Sequence, residues 1–180
     1  MSIDFKQNYF ALFGLPVQFV LDEAALAPAF RALQAKHHPD RFASESDEAR
    51  RVAQQVTSFI NTAQETLKSP RLRARYLLSL EGIDFDDERD TTSDMGFLMA
   101  QMERREALEQ VTQAADPFEA IDTLSLEVRK DYQGLQQAFA QAYQDGQFDE
   151  AKQSVLKLKF FERLIGEIKQ LEEQLEDEAI

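Results

Sequence analysis

Helical periodicity with few breaking residues most limits what this chain of 180 residues can fold into. Apolar residues recur three and four positions apart through most of the sequence, which is the spacing of one buried helix face. Only six glycines and five prolines interrupt it, and most of them stand between the periodic segments. No stretch alternates as a strand requires. The sequence therefore predicts an all-α protein of long helices joined by short connections.

The breaking residues divide the first 81 residues into helices. A short apolar helix ends at Gly14, Asp22 caps the next one, and Pro39 ends that one. A long helix over about 48–67 follows and should pair antiparallel with its predecessor, and a last helix begins at Pro70. One side of the long helix is expected to face the core: Val52, Val56, Phe59, Ile60, Ala63 and Leu67.

Charge divides the chain near the end of this helical segment. Residues 1–81 hold ten Lys and Arg against nine Asp and Glu, whereas the remaining residues hold ten against twenty-four. A step of this size indicates two domains with different partners, and we expect them over 1–81 and 93–180 with an acidic linker over 82–92. The acidic second half argues against nucleic acid and against anionic membrane surfaces as partners.

The absence of cysteine excludes several kinds of chemistry. The chain cannot form disulfides, a thiolate zinc site or a cysteine nucleophile, and it cannot hold an iron–sulfur cluster through its own thiolates. No apolar run approaches the length of a membrane span, and the first residues lack the order of a signal peptide. We expect a cytoplasmic protein of bacterial origin with no resident metal, no other cofactor and no catalytic residues.

The sharpest local motif is His37-His38-Pro39-Asp40, which lies between two predicted helices. A chance His-Pro-Asp in a chain of this length is roughly a one-in-a-hundred event, so the tripeptide alone is only suggestive. Pro39 could simply end a helix and Asp40 cap the next one. The adjacent histidines could also belong to a metal site, although no third ligand stands at a suitable spacing.

Segments on both sides give this motif a context. Upstream stands Tyr9-Phe10-x-Leu12-Phe13-Gly14-Leu15, and downstream stands Phe59-Ile60-Asn61-x-Ala63 with a later Leu67, Pro70, Arg73 and Tyr76. In this order, residues 8–80 resemble the J domain of the DnaJ class of co-chaperones.

The J-domain resemblance implies a role for the loop. His38, Pro39 and Asp40 would contact a DnaK-type ATPase and stimulate its ATP hydrolysis, while Arg31, Lys36 and Arg41 would steer the domain onto an acidic patch of that partner. Lysine or arginine is sparser here than in many J domains, because Ala27, Ala32 and Gln34 stand where more might be expected. The resemblance therefore implies a weaker or more selective dock.

Three helices are predicted after the linker, over about 94–115, 117–145 and 148–178. Short joints at Asp116-Pro117 and Asp145-Gly146 favour an antiparallel three-helix bundle. Apolar residues of the last helix follow a coiled-coil-like spacing: Leu158, Phe161, Leu164, Ile168, Leu171 and Leu175.

The helix over 94–115 carries two apolar stripes. One can face the core: Phe97, Ala100, Leu108, Val111 and Ala115. The other has Glu103 and Glu106 beside it and contains Met95, Leu98, Met99 and Met102. Methionine-rich surfaces adapt to peptide-like partners, and a surplus apolar stripe often marks an interface. The alternative is that both stripes belong to the core.

Two segments of the second half are similar to the HscB branch of the J-proteins. They are Asp94-Met95-Gly96-Phe97-Leu98-Met99-x-x-Met102-Glu103-x-Arg105-Glu106 and Lys157-Leu158-Lys159-Phe160-Phe161, and the Tyr76-Leu77-Leu78-Ser79-Leu80 end of the J domain also fits. The resemblance implies that the bundle binds the iron–sulfur scaffold IscU through Leu98, Met99, Met102, Glu103, Glu106 and Phe160.

The HscB resemblance also implies a function for the whole chain. It would be a monomeric co-chaperone, not an enzyme, that delivers IscU to the specialised DnaK-type chaperone HscA and stimulates its ATPase for cluster transfer to acceptor proteins. Three alternatives stay open: the same J domain with another client, a pair of copies joined through the methionine stripe, and a helical scaffold without a chaperone link.

Overall fold

The structure is a computed structural model that describes residues 3–42, 45–86 and 89–178. The outermost residues of both predicted domains, 1–2 and 179–180, lie outside these ranges. Every regular element in the described ranges is helical, which confirms the all-α prediction, and none of these helices is long and apolar enough to cross a membrane. The α-helices are α1 (Tyr9–Leu12), α2 (Glu23–His37), α3 (Asp47–Lys68), α4 (Pro70–Leu80), α5 (Met95–Gln110), α6 (Pro117–Gln144) and α7 (Phe148–Glu178).

Side-chain caps begin the helices close to the positions that the sequence predicts. Asp22 and Asp116 accept hydrogen bonds from first-turn amide groups of α2 and α6, and Ser46 and Ser69 do the same for α3 and α4. Gly82 follows α4 with a φ of 79°, a left-handed conformation that favours glycine. By its contacts the chain separates near this turn into a first unit, Met1–Glu81, and a second unit, Gly82–Ile180.

In the first unit, α2 and α3 form the expected antiparallel hairpin. Gln34 Nε2 donates to Asn61 Oδ1 at 3.2 Å, whereas the carbonyl oxygen of His37 accepts from Thr57 Oγ1 at 3.1 Å. Residue numbers therefore decrease along α3 as they increase along α2, so the two helices are antiparallel. The buried residues that α3 contributes are Ala53, Val56, Ile60, Ala63 and Leu67.

One predicted core position of α3 is wrong. Val52 is about half exposed, and Ala53 is buried in its place. The buried positions from Ala53 onward keep a spacing of three and four, so Val52 stands one position off the stripe. Phe59 is half-buried because it lies at the edge of the same stripe, where it contacts aromatic rings near α1.

Tyr76 links α4 to α1. Its hydroxyl oxygen accepts a hydrogen bond from the backbone N–H of Tyr9 at 3.0 Å, and the two rings stack with centroids 4.3 Å apart. Phe59 of α3 meets Tyr9 edge-on at 5.6 Å. Burial raises the pKa of the Tyr76 hydroxyl, which therefore stays neutral through the physiological range. This cluster holds the short helix α1 in place.

In the second unit, α6 and α7 form an antiparallel pair. The rings of Tyr143 and Phe148 lie 5.9 Å apart next to the turn, and those of Tyr132 and Phe161 lie 6.3 Å apart further along both helices. The core that α7 shares with its neighbours confirms most of its predicted stripe. This core consists of Val111, Ile121, Leu124, Val128, Phe161, Leu164, Ile168 and Leu175.

Helix α5 runs parallel to α7 and completes an up-down-up bundle. Asp94 at its start accepts a hydrogen bond from Lys157 Nζ at 2.7 Å, and Arg105 near its end donates to Glu167 at 3.0 Å. Residue numbers thus increase in the same direction along α5 and α7. Since α6 is antiparallel to α7, the arrangement is the predicted antiparallel three-helix bundle.

The end of α5 differs from the prediction. The helix stops at Gln110 instead of about residue 115, and a single 3₁₀ turn over Val111–Gln113 follows. Val111 is buried as expected, but Ala115 is exposed. The tighter turn changes the number of residues per turn, so the register of the core stripe does not extend beyond it. Placing Ala115 in the core was therefore wrong.

The segment over 82–92 packs in part against α7. Phe85 and Thr92 are buried. Lys152 Nζ lies 5.0 Å from the centroid of the Phe85 ring and 3.5 Å from the Asp90 carboxylate. Residues 87–88 of the predicted linker lie outside the described residues. Its acidic side chains thus include one that pairs with a cation of the bundle.

Replacing Tyr76 by Phe tests the link between α4 and α1. The variant keeps the ring stack but removes the hydroxyl that accepts from Tyr9, a loss of about 1 kcal/mol. Hydrogen exchange at the Tyr9 amide should accelerate by about fivefold. The matched variant Tyr9→Phe keeps this bond and should exchange like the parent protein. Equal exchange in Tyr76→Phe and the parent would contradict the assignment.

The cap of α5 predicts a pH dependence. A hydrogen bond from Lys157 and one from the Phe97 amide lower the pKa of Asp94 below its ordinary value. The native state thus binds this proton less tightly than the unfolded state, so the stabilisation is present above about pH 4 and is lost as the pH falls through the native pKa. Between pH 5 and pH 3 the thermal midpoint should fall less in the variants Asp94→Asn and Lys157→Met than in the parent protein. An equal fall in all three proteins would contradict this.

Candidate functional site

The His-Pro-Asp motif forms a tight turn directly after α2. His38 ends α2 with φ −57° and ψ 131°, an extended ψ that the following proline favours. Pro39–Phe42 then forms one 3₁₀ turn, which a hydrogen bond from the Arg41 amide to the His38 carbonyl closes at 3.0 Å. His38 and Asp40 are both exposed. The turn therefore presents their side chains to solvent from a fixed backbone.

The imidazole of His38 is oriented by its own turn. The Asp40 amide donates to His38 Nδ1 at 3.3 Å, and an Asp40 carboxylate oxygen lies 3.6 Å from the same atom. A bond that Nδ1 accepts requires this nitrogen to be unprotonated, which leaves the proton of the neutral ring on Nε2. The loop thus offers an N–H donor on His38 and a carboxylate acceptor on Asp40, two residues apart.

Two side chains hold the loop onto the helical hairpin. Thr57 Oγ1 shares its one proton between the His37 carbonyl at 3.1 Å and the Ala53 carbonyl of its own helix at 2.9 Å, and Arg41 Nη1 donates to the Ala35 carbonyl at 3.2 Å. The bonds to His37 and Ala35 satisfy carbonyl groups at the end of α2 that lack a partner within the helix. The sequence analysis missed Thr57, although a hydroxyl next to the buried stripe of α3 was an available signal.

The three cations predicted for chaperone binding do not form one row. Arg31 and Lys36 are exposed on α2, but five positions place them about 140° apart around the helix. Arg41 is exposed and folds back onto α2. Burial, and then the charge of Lys36, lower the pKa of His37. Fixed cations rather than His37 therefore supply positive charge on several sides of the loop.

A second candidate site lies on α5. Met95, Met99 and Met102 follow a spacing of four and three on one side of the helix and are 67%, 59% and 64% exposed. Leu98 and Phe160 beside them are half-buried. We call these five residues the methionine face. Its three methionines do not belong to the core, which removes the alternative that both stripes of α5 are buried.

Phe97 fixes which side of α5 faces α7. Its ring lies 5.6 Å from Phe160 and 5.9 Å from Phe161, edge-on in both cases, and Lys157 Nζ lies 5.4 Å from its centroid. Phe160 thus has one side against Phe97 and remains partly exposed. The structure brings this predicted residue of α7 to the edge of α5.

The acidic residues predicted for scaffold binding stand on the same helix. Glu103 and Glu106 are exposed and follow Met99 and Met102 by four positions each, which places them on the same side one turn further along. Five of the six predicted residues of this site therefore lie along one side of α5, and the sixth, Phe160, lies beside them on the adjacent edge of α7.

Two polar residues in the seam between these helices were missed. Gln101 is buried, and Arg104 is largely covered, pairs with Asp131 of α6 and lies 5.4 Å from the Phe161 ring. Counting from Phe97 in steps of four and three reaches both positions. The spacing was the available signal, but polar residue types by themselves predict exposed helix positions.

No group of three His, Asp or Glu side chains in the described parts of the chain is arranged to hold a metal ion. The adjacent histidines differ in environment instead, since His37 is half-buried and His38 is exposed. His38 Nδ1 already accepts the Asp40 amide, as described above.

Comparison with known proteins extends these observations. Residues 93–169 match the family model of the HSCB C-terminal oligomerisation domain. A co-chaperone protein HscB homolog of Vibrio cholerae is 46% identical over 172 residues, which cover 93% of this chain and 98% of that protein. A homolog of Burkholderia multivorans is 41% identical over 97% of this chain and 99% of that protein.

Solved structures agree with the sequence relatives. The structure of the chaperone HscB from Vibrio cholerae covers 94% of this chain and 99% of its own, with a TM-score of 0.87 and 42% identity. The crystal structure of human co-chaperone protein HscB covers 96% and 85%, with a TM-score of 0.85 and 27% identity. The matches confirm the resemblance that both halves of the sequence indicated. The chain belongs to the HscB family of J-domain co-chaperones.

Proposed function

We propose that this co-chaperone binds an IscU-type iron–sulfur scaffold with its second unit and an HscA-type ATPase of the DnaK family with its J domain. It would thereby stimulate ATP hydrolysis by the chaperone and promote transfer of the cluster to acceptor proteins in the bacterial cytoplasm. The ATP, the cluster and the thiolates that hold it all belong to the partners. The chain itself turns over no substrate.

The exposed methionine face carries the proposal for the second unit. Three methionines on one helix place flexible, polarisable side chains in solvent beside a half-buried phenylalanine, which is costly unless a partner covers them. Glu103 and Glu106 extend the face with carboxylates that can pair with cations at the rim of a partner. An apolar centre with a charged rim is the usual composition of a specific protein interface.

The hydrogen-bonded turn over Pro39–Phe42 supports the proposal for the J domain. Its backbone bonds and the support from Thr57 keep His38 and Asp40 in one arrangement, so little conformational entropy is lost when a partner binds them. Arg31, Lys36 and Arg41 would accelerate encounter with an acidic patch of the ATPase. Because they are few and spread out, this contact is expected to be weak on its own.

Carrying both sites on one chain compensates for the weak contact. Once the scaffold is bound to the second unit, scaffold and J domain reach the chaperone together, and the second binding event becomes intramolecular. A dock too weak to persist alone is then sufficient. We also propose a monomer as the working form.

The matched family model, described as an oligomerisation domain, favours one competing use of the methionine face. Two copies of the chain could pair through it and cover the same methionines. Sedimentation of the parent protein at the concentrations used for binding separates the two uses. A monomer that binds the scaffold supports the adaptor, whereas a dimer that dissociates in Met99→Ala/Met102→Ala would replace it.

Replacing His38 by Gln tests the J-domain site. The variant replaces the imidazole ring, which the Asp40 amide holds in one orientation, by a flexible side-chain amide. Stimulation of the HscA ATPase in steady-state assays should therefore fall nearly to the basal rate. Scaffold affinity should stay unchanged because the methionine face is untouched. His37→Gln is the matched control and should retain stimulation. Full stimulation by His38→Gln would contradict the proposed role.

Replacing both Met99 and Met102 by Ala tests the scaffold site. Neither side chain belongs to the core, so the thermal midpoint should not change. Affinity for purified IscU in titration calorimetry should fall about tenfold or more, because truncating central interface residues commonly costs above 1 kcal/mol each. Leu126→Ala, at a residue 71% exposed on α6, is the matched control. Equal affinity of the double variant and the parent would refute the site.

A further inference from the structure

Gln101 is unusual among the residues of the α5–α7 seam. Its side chain is 7% exposed, and its Nε2 atom has no hydrogen-bond partner among the described residues. A buried amide donor without an acceptor is costly, so such a group in a native protein calls for an explanation. An apolar residue at this position would avoid the cost.

The side chain lines a surface pocket of about 340 Å³ between α5 and α7. The pocket is continuous with the methionine face, since Leu98, Met102 and Phe160 belong to both. Its remaining walls are Leu164 and the more exposed Arg105 and Arg163.

The two arginines of this pocket already share an anion. Arg105 donates to Glu167 at 3.0 Å, and Arg163 donates to the same carboxylate oxygen at 3.1 Å. Both guanidinium groups thus already have an acceptor, although this one carboxylate balances only one of their two positive charges. The rest of the wall is apolar apart from Gln101, and moving a carboxylate from water into such a pocket is more costly than moving a neutral carbonyl.

We propose that this pocket receives an apolar side chain of the IscU-type scaffold, and that the covered amide of Gln101 turns toward it on binding, so that Nε2 donates a hydrogen bond to a neutral carbonyl oxygen adjoining that side chain. The proposal rests on the proposed function and adds a residue and a chemical requirement to it. Gln101 is a specificity-determining donor within a face that otherwise recognises its partner by shape and apolar contact.

The donor makes the pocket selective. A purely apolar insertion would leave Gln101 Nε2 unpaired, as it is in the free protein, whereas an insertion that brings a carbonyl oxygen satisfies it. The methionines alone cannot make this distinction, because flexible apolar side chains adapt to many partners. Gln101 thus separates the scaffold segment from other apolar segments of similar size.

Gln101→Met tests the proposal, since the replacement is unbranched, similar in length and without a donor. The thermal midpoint of the free variant should stay equal or rise, because an unpaired buried donor is removed. The dissociation constant for purified, metal-free IscU should rise about tenfold, as expected for the loss of a hydrogen bond from a buried group. Gln137→Met, at an exposed position of α6, is the matched control and should bind like the parent.

A second measurement uses the parent protein. The side-chain amide protons of Gln101 should shift downfield in NMR spectra and exchange more slowly when IscU is added. The loss of affinity in Gln101→Met should be the same at low and at high salt, because the acceptor is neutral. Unchanged amide signals, unchanged affinity, or a loss that vanishes at high salt as for a carboxylate acceptor would each overturn the inference. If the parent protein fails to bind IscU, the proposed function itself fails.

Discussion

The packing of Phe97 against Phe160 and Phe161 is the contact on which the second unit's binding surface depends. A helix of sixteen residues with two apolar stripes can turn either one toward its neighbours. The two edge-on ring contacts, together with the Asp94–Lys157 hydrogen bond at the start of α5, select one of them. The same rotation that packs Phe97 against α7 leaves the methionines in solvent and turns Gln101 into the seam.

The two candidate sites solve different physical problems. The turn over Pro39–Phe42 is held by a backbone hydrogen bond, and Thr57 supports the end of α2 before it, so the turn presents two polar groups in a fixed arrangement. The methionine face consists of flexible side chains on a rigid helix, and it can adapt to the contour of a partner. A fixed polar turn and an adaptable apolar face would suit a protein that joins an ATPase to its client.

The sequence predicted the fold well because the residues that begin and end its helices act locally. The cap Asp22, the first-turn Pro70 and the stop at Gly82 act on their own helices, and no distant contact has to be known to place them. The limits of this reasoning appear where one helix gives way to another conformation. The 3₁₀ turn after Gln110 is set by packing of Val111 on α6, so local spacing carried the core stripe too far, to Ala115.

The candidate sites could be predicted in part. His38-Pro39-Asp40 and the exposed methionines follow from motif and spacing, but the supports of the loop and the polar residues of the seam do not. Thr57 and Gln101 act through partners about 20 residues away or through a pocket shared with α7, and only the tertiary structure brings these groups together. Their residue types alone predict solvent-exposed helix positions.

If the adaptor requires both sites on one chain, a mixture of two variants that each lack a different site cannot replace it. His38→Gln alters the site for the ATPase and keeps the methionine face, whereas Met99→Ala/Met102→Ala alters the methionine face and keeps the site for the ATPase. HscA ATPase activity would be measured with IscU and an equimolar mixture of both variants. Their concentrations would lie well below the dissociation constant of the J domain alone for HscA. The account predicts that the mixture fails to restore stimulation, because the intact sites are on separate molecules. Stimulation equal to that of the parent chain would contradict it.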